Sequence, residues 1–406
     1  MIILINASDI KAGGGIQVAD SVCCELNKYP QHRFIAVLSS YMKKTAERTA
    51  CYANVEVIKY DCPKYNVRLL LTGRDAFMDR LVKDKRVDTV ISIFGPNLWV
   101  PRCPHISGFA RPHLVIPESP YFTRMDKKER LKEDFSNAVL KYFFRRSSDF
   151  FYTENPYISE RLKKMLPGST VYTITNNYNQ IFEQPEKWVE KKLPAFDGAS
   201  FLCVTAPYPH KNLQIAIDVA KYLKQTKPGF KFRFVYTINK TDFVGIPEYL
   251  INCFLMIGKV DITECPSLYE QCTIAFQPSL LECFTATYPE AMIMRKPIVT
   301  TNLEFAQGLC GEAACYYEAI NPVSAAESLY KVATDREYAE TLVDAGQEML
   351  KTYDTYSDRA RKIIDIAEQI SLMGGAICEL IANGEEQIIS TTCCRTLAFE
   401  GRRMAA

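Results

Sequence analysis

Short apolar runs separated by helical segments constrain this chain more than any other feature. Ile2–Ile5, Phe34–Leu38, Val55–Ile58, Thr89–Ile93, His105–Phe109, Asp149–Thr153 and Thr170–Ile174 are rich in β-branched and aromatic residues. The first is continuously apolar, as a strand buried on both faces must be. Strand-like runs alternating with helical stretches predict a parallel, doubly wound α/β sheet. The pattern pauses at Asn176–Phe182 and the polar run Glu183–Lys192, then restarts at Phe201–Val204, Lys231–Tyr236, Phe254–Ile257 and Thr273–Phe276. A chain of 406 residues is long enough for two cores. The restart predicts two similar Rossmann-like domains, residues 1–176 and 177–355, facing across a cleft. A helix over 356–370 follows, then a tail, 374–406, without clear period. The tail reads as a small helical appendage, a disordered end or appended sequence.

Composition excludes more than it assigns. A net charge of +2 gives no argument for nucleic acid. No apolar run is long enough to span a bilayer, and MIILINASDI lacks the charged region and cleavage site of a signal peptide. Fifteen cysteines, an odd count, lie mostly inside strand and helix patterns and form no CxxC pair of metal-binding spacing. They read as small buried hydrophobes of a reduced, cytoplasmic protein without disulfides or structural zinc.

The stretch Gln277–Thr301, QPSLLECFTATYPEAMIMRKPIVTT, is the most informative. It reads as a strand end, a loop carrying Glu282, a helix with Glu290 in its first turn, and another strand. Thr287 stands three residues before Glu290, the spacing of a capping box. Either glutamate alone has a structural reading, Glu290 completing that box and Glu282 a solvated loop residue. As a pair beside one crevice at a strand's carboxyl end, where open α/β sheets bind ligands, they suit hydroxyl-rich ligands, because ionised carboxylates only accept.

This segment resembles the E-x7-E segment of family-four retaining glycosyltransferases, which have the GT-B fold. Cys283, Thr285 and Thr287 stand where that family often has Gly, Gly and Pro. The resemblance covers roughly residues 1–370 and implies that the last helix crosses back to the first domain. It implies that Glu290 binds ribose hydroxyls and that Glu282 holds the donor sugar and steadies positive charge at its anomeric carbon. The loop residues Cys283, Phe284 and Thr285 would border the sugar.

Other segments fit the same reading. After Ile2–Ile5 comes Lys11-Ala12-Gly13-Gly14-Gly15 and a helical stretch from Ile16 to Asn27. Strand, glycine loop and helix can direct amides and a helix dipole at a phosphate. A mobile turn is the alternative. In position the loop resembles the family's first glycine-rich loop, over the donor diphosphate. Lys211-Asn212-Leu213 matches the family's donor-diphosphate lysine motif. A lysine at a helix start is unfavourable for the dipole unless an anion binds there. The family's arginine five residues earlier is replaced by Ala206, leaving His210 or another residue to compensate.

The proline-rich segment Pro101–Phe122 reads as loops of the kind that contact substrate. His105, at a strand start, reads as a structural histidine. Arg111 and His113 are the candidates for contact with the reacting sugar. Met125–Arg146 is a charged amphipathic helix. It could lie on a membrane surface, but its interleaved acidic residues favour a solvated helix packed on its own domain.

The resulting expectation is a retaining hexosyltransferase moving a sugar from a nucleoside diphosphate sugar to a hydroxyl acceptor, glycan or lipid-linked, in polysaccharide biosynthesis. Lys211 and the amides of Gly13–Gly15 would stabilise the leaving diphosphate. No nucleophile, no cofactor and no Asp-x-Asp metal motif are expected. The expected location is the cytoplasm, at the inner membrane face through peripheral contact. The rivals are a GT-B nucleotide-sugar epimerase or hydrolase and a non-catalytic nucleotide-sugar-binding subunit. A Rossmann dehydrogenase is disfavoured because neither first strand is followed by a dinucleotide fingerprint.

Overall fold

The computed structural model describes residues 1–11, 13–63 and 66–382, with side chains described through 374. Ala12 and the tail beyond Ala382 therefore lie outside the described residues. The chain divides into two compact units. The first comprises Met1–Val115, Glu129–Thr175 and the segment from Thr355. The second comprises Asn176–Asp354 and, from earlier in the chain, Ile116–Lys128.

The first unit holds seven strands: β1 Ile2–Ala7, β2 Arg33–Leu38, β3 Val55–Lys59, β4 Thr89–Ser92, β5 His105–Gly108, β6 Phe150–Thr153 and β7 Thr170–Thr173. Their order is β3-β2-β1-β4-β5-β6-β7, and every pairing is parallel. The apolar runs are continuous because both faces are covered. Ile3 and Ile5 pack on one side with Val18, Val22 and the last helix's Ile363, Ile364 and Ile370. Leu4, Ile35, Val37 and Val90 pack on the other with Leu69, Leu81 and Trp99. Each such isoleucine, fully buried, contributes about 1.5–3 kcal/mol, so the last helix is integral to this unit.

An ion pair reinforces that helix: Arg359 meets Glu154 at 2.8 Å, both almost fully buried. Burial raises the Glu154 pKa while Arg359 lowers it. The helix runs from Tyr356 to Ala382, twelve residues beyond the expected Ile370. The GGAICELIA segment lacks a sharp apolar period yet contains no proline to stop it.

His105 is structural, as expected. It is buried, with Nδ1 against the Ser147 carbonyl and Nε2 against the Ser92 hydroxyl, each at 2.8 Å. Burial lowers its pKa to about 4. The charged helix, Lys127–Ser147, packs on its own unit as expected, Phe144 meeting Phe109 and Phe151, and it also carries an exposed apolar face. It buries Asn137, Phe144 and Ser147, while Leu131, Phe135, Val139 and Tyr142 are exposed, the first two at 71% and 73%. Spaced four, four and three residues apart, they form one helical stripe that faces away from its own unit.

The second unit holds β8 Ala199–Cys203, β9 Phe232–Tyr236, β10 Phe254–Met256, β11 Ile274–Gln277, β12 Ile298–Thr301 and β13 Ala314–Tyr317. Their order is β10-β9-β8-β11-β12-β13, again all parallel. Phe201, Phe234, Phe276 and Val299 form its core with Ala216, Leu223 and Leu329 of the covering helices. Strand order reverses between β8 and β11, which lie side by side although 70 residues separate their ends. At such a reversal the following loops diverge to opposite faces, leaving a crevice at the carboxyl ends.

Candidate active site

Lys211 and Glu282 meet at that reversal. Lys211 follows β8, in the 3-10 turn Pro209–Lys211, and Glu282 follows β11. The Leu280 amide donates to the His210 carbonyl at 2.8 Å, tying the two loops together. Lys211 Nζ then stands 2.6 Å from Glu282 Oε1, with both side chains largely buried. Glu282 is therefore no solvated loop residue. Lys211 is not an uncompensated cation on a helix end either. The helix begins later, at Ile215, and a carboxylate occupies the place expected for a bound anion.

Asn212 takes the left-handed backbone conformation, at φ 53°, and is buried. Its Oδ1 accepts a hydrogen bond from the Arg124 guanidinium, while its Nδ2 is buried without a partner. Arg124 ends the 3-10 turn Pro120–Arg124 in the early segment that belongs to the second unit.

The helix Thr287–Ile293 carries Glu290, and the expected capping box is not formed. Thr287 is already helical, so its hydroxyl is not at the cap position, and it pairs instead with the Thr285 hydroxyl at 2.9 Å. Glu290 is 3% exposed and accepts a hydrogen bond from the Tyr269 hydroxyl at 3.1 Å. Burial raises its pKa to about 7, and the Tyr269 bond opposes that rise. The two glutamates thus have different partners and different electrostatics: Glu282 is ion-paired, whereas Glu290 is poised near neutrality with only a neutral partner. In the connecting loop Cys283 and Thr285 are buried, and the half-buried Phe284 packs edge-on against Tyr353 at 6.3 Å.

The remaining candidates lie in the first unit. Gly13 precedes a helix that starts at Gly14, two residues earlier than expected. A Cβ at Gly13 or Gly14 would meet nothing within 4 Å, and Gly13 has φ 65°, so the loop is open and needs glycine at that point. Arg111 is exposed, and His113 sits in the short helix Pro112–Val115, where its carbonyl accepts from Asn137. Among the described residues no group of His, Cys, Asp or Glu is arranged to hold a metal ion, and no helix is long and apolar enough to cross a membrane. Sequence reasoning missed Arg124 and Tyr269 as the partners of Asn212 and Glu290. No spacing links Arg124 to Asn212, 88 positions away.

Residues 185–349 match the family model of glycosyl transferases group 1. That match lies wholly within the second unit. No curated protein sequence matches the chain significantly. Solved structures share the fold over nearly the whole chain. Sucrose-phosphate synthase from Thermosynechococcus elongatus superposes with a TM-score of 0.64 at 12% identity, covering 91% of this chain and 98% of its own. Anabaena Alr3699/HepE in complex with UDP-glucose gives 0.63 at 14%, covering 91% and 99%. A UDP-forming α,α-trehalose-phosphate synthase from Burkholderia vietnamiensis gives 0.63 at 8%, covering 92% and 98%. The α/β fold of the GT-B glycosyltransferases, expected from the sequence, is the one found. The family match falls on the domain that holds Lys211, Glu282 and Glu290.

Proposed function

We propose that the protein is a retaining hexosyltransferase of the family-four, E-x7-E type, using a nucleoside diphosphate sugar as donor and a hydroxyl group as acceptor. The observation that carries this reading is the Lys211–Glu282 pair at the β8/β11 reversal. In a retaining transfer the bond from the anomeric carbon to the diphosphate breaks, leaving positive charge on the sugar and negative charge on the departing oxygen. An ammonium and a carboxylate held side by side match that separated pair, Lys211 toward the diphosphate and Glu282 toward the sugar. Both are fixed before substrate arrives, so little reorganisation is needed. Cys283, Phe284 and Thr285 border the sugar, and Asn212 sits beside the phosphates.

Glu290 receives the ribose diol. Hydroxyl donors favour its ionised form, so donor binding near pH 7 expels its proton. The site works without a metal, the cation's part being taken by protein side chains. That neighbours bind UDP and UDP-glucose supports a nucleotide-sugar donor. Gly13–Gly15, and Arg111 and His113 on the acceptor side, keep the roles that the resemblance implies.

The exposed stripe Leu131, Phe135, Val139 and Tyr142 supports peripheral contact with an anionic membrane, where a lipid-linked acceptor would be met. Its helix carries seven basic residues against three acidic ones. Sedimentation with phosphatidylglycerol vesicles should carry down the wild type but not a Leu131→Ser/Phe135→Ser variant. Equal sedimentation of the two would remove the membrane from the proposal.

The central reading is tested by calorimetric binding of a nucleotide-sugar panel to wild type and Glu290→Ala. One donor should bind, with the variant at least tenfold weaker. If wild type binds none, the glutamates are structural. Turnover of donor without any acceptor would favour the epimerase or hydrolase reading.

A further inference from the structure

The resembling family places an arginine where this chain has Ala206. With Lys211 already paired to Glu282, the site around that pair is electrically balanced: one ammonium against one carboxylate. A diphosphate would find no net positive charge there. Arg124 changes that sum. Its guanidinium donates to the side-chain oxygen of Asn212, the residue next to Lys211. That partner is a neutral amide, and among the described residues Arg124 forms no ion pair. Burial is the main influence on its pKa, which it lowers, and the second is Tyr317, buried with its hydroxyl unpartnered. Arg124 is solvent-exposed as a residue, so its guanidinium, held by a neutral amide and not by a carboxylate, is accessible to an anion and can still form charge-assisted hydrogen bonds with one.

The placement of Arg124 is built. Ser119 opens its turn, with the hydroxyl accepting from the Tyr121 amide at 3.2 Å and donating to the Leu280 carbonyl at 2.6 Å. The Leu280 amide in turn donates to His210. One residue, Leu280, thus joins the segment of Arg124 to the loops of Lys211 and Glu282. Tyr121 also packs edge-on against His210 at 6.1 Å, and Phe122 is buried. Asn212 is held by Arg124 through its oxygen, while its buried Nδ2 still lacks an acceptor. Phosphate oxygens only accept, so they suit both groups.

We propose that Arg124 is the second cation of the diphosphate subsite, standing in for the arginine absent at Ala206. This rests on the reading that Lys211 binds the donor diphosphate. The donor is then gripped by a segment that the chain contributes to the second unit before the second sheet begins.

Arg124→Gln removes the charge but keeps an amide donor for Asn212, so it should fold. Calorimetry with UDP, GDP and ADP on the full chain, alongside Lys211→Gln, separates the outcomes. Arg124→Gln should weaken the diphosphate that wild type binds by about ten- to a hundredfold, and the matching nucleoside monophosphate by less, with the melting temperature unchanged. Unchanged affinity in Arg124→Gln with loss in Lys211→Gln would overturn the assignment and leave the site reading standing. Equal loss for mono- and diphosphate, accompanied by a lower melting temperature, would make Arg124 structural. No binding by wild type would refute the site reading and this assignment with it.

Discussion

Glu290→Gln makes a demanding test of the site's electrostatics, because the same residue predicts a stability change and a binding change of opposite sign. Burial moves its carboxyl from 4.5 to about 7. In the unfolded chain it ionises near 4.5, and in the folded protein it holds its proton until about pH 7. A raised acid pKa means the stability contribution is full below 4.5 and is lost as pH rises through 7. At 1.36 kcal/mol per unit the total loss is about 3 kcal/mol, most of it between pH 5 and 8. Glutamine does not titrate, and its carbonyl can still accept from Tyr269. Urea unfolding of wild type and Glu290→Gln at pH 5 and pH 8 should show the variant gaining about 2–3 kcal/mol relative to wild type on going to the higher pH. Its donor affinity should meanwhile fall, since a neutral amide accepts ribose hydroxyls less strongly than a carboxylate. Parallel stability profiles for the two proteins would refute the buried, proton-holding carboxyl.

Three further outcomes follow from the structure. Arg359→Met leaves Glu154 buried without its partner and should cost about 3–5 kcal/mol in urea unfolding, whereas Arg359→Met/Glu154→Leu should recover most of that loss; a single variant as stable as wild type would contradict the buried pair. His105, with its pKa lowered from 6.5 to about 4, stabilises the fold fully above 6.5 and loses about 3 kcal/mol as pH falls through 4; a His105→Gln variant whose acid unfolding midpoint matches wild type would rule this out. Sugar transfer should persist in excess EDTA, and loss of turnover restored by a divalent cation would show that a metal is required.

Much of the architecture was legible because its causes are local. A strand buried on both faces must be apolar at successive positions, so most of the strands left readable runs, even where their ends shifted by a residue or two. Lys211 and Glu282 were legible for a related reason. Each lies just past the carboxyl end of a strand, and such positions can be counted along a parallel fold. The exposed apolar stripe of the helix Lys127–Ser147 was not foreseen, because amphipathic periodicity shows that a face exists without showing what covers it. The capping box at Thr287 was misread because Thr-x-x-Glu spacing does not reveal whether the threonine is the cap or already the first helical residue.

The sequence by itself determined the class of fold, the restart of the pattern near Phe201, and the candidacy of the lysine and two glutamates. These depend on periodicity and on neighbours a few residues away. Only the tertiary structure decided that Lys211 and Glu282 form a pair, since that needs β11 beside β8. It also decided that Glu290 is buried against Tyr269 and poised near neutrality, because desolvation is a property of the packed surroundings. Arg124 is the clearest case. Its approach to Asn212 spans 88 residues, and it arises because Ile116–Lys128 packs with the second unit, a choice made by contacts such as Ser119 to Leu280 that no local pattern encodes.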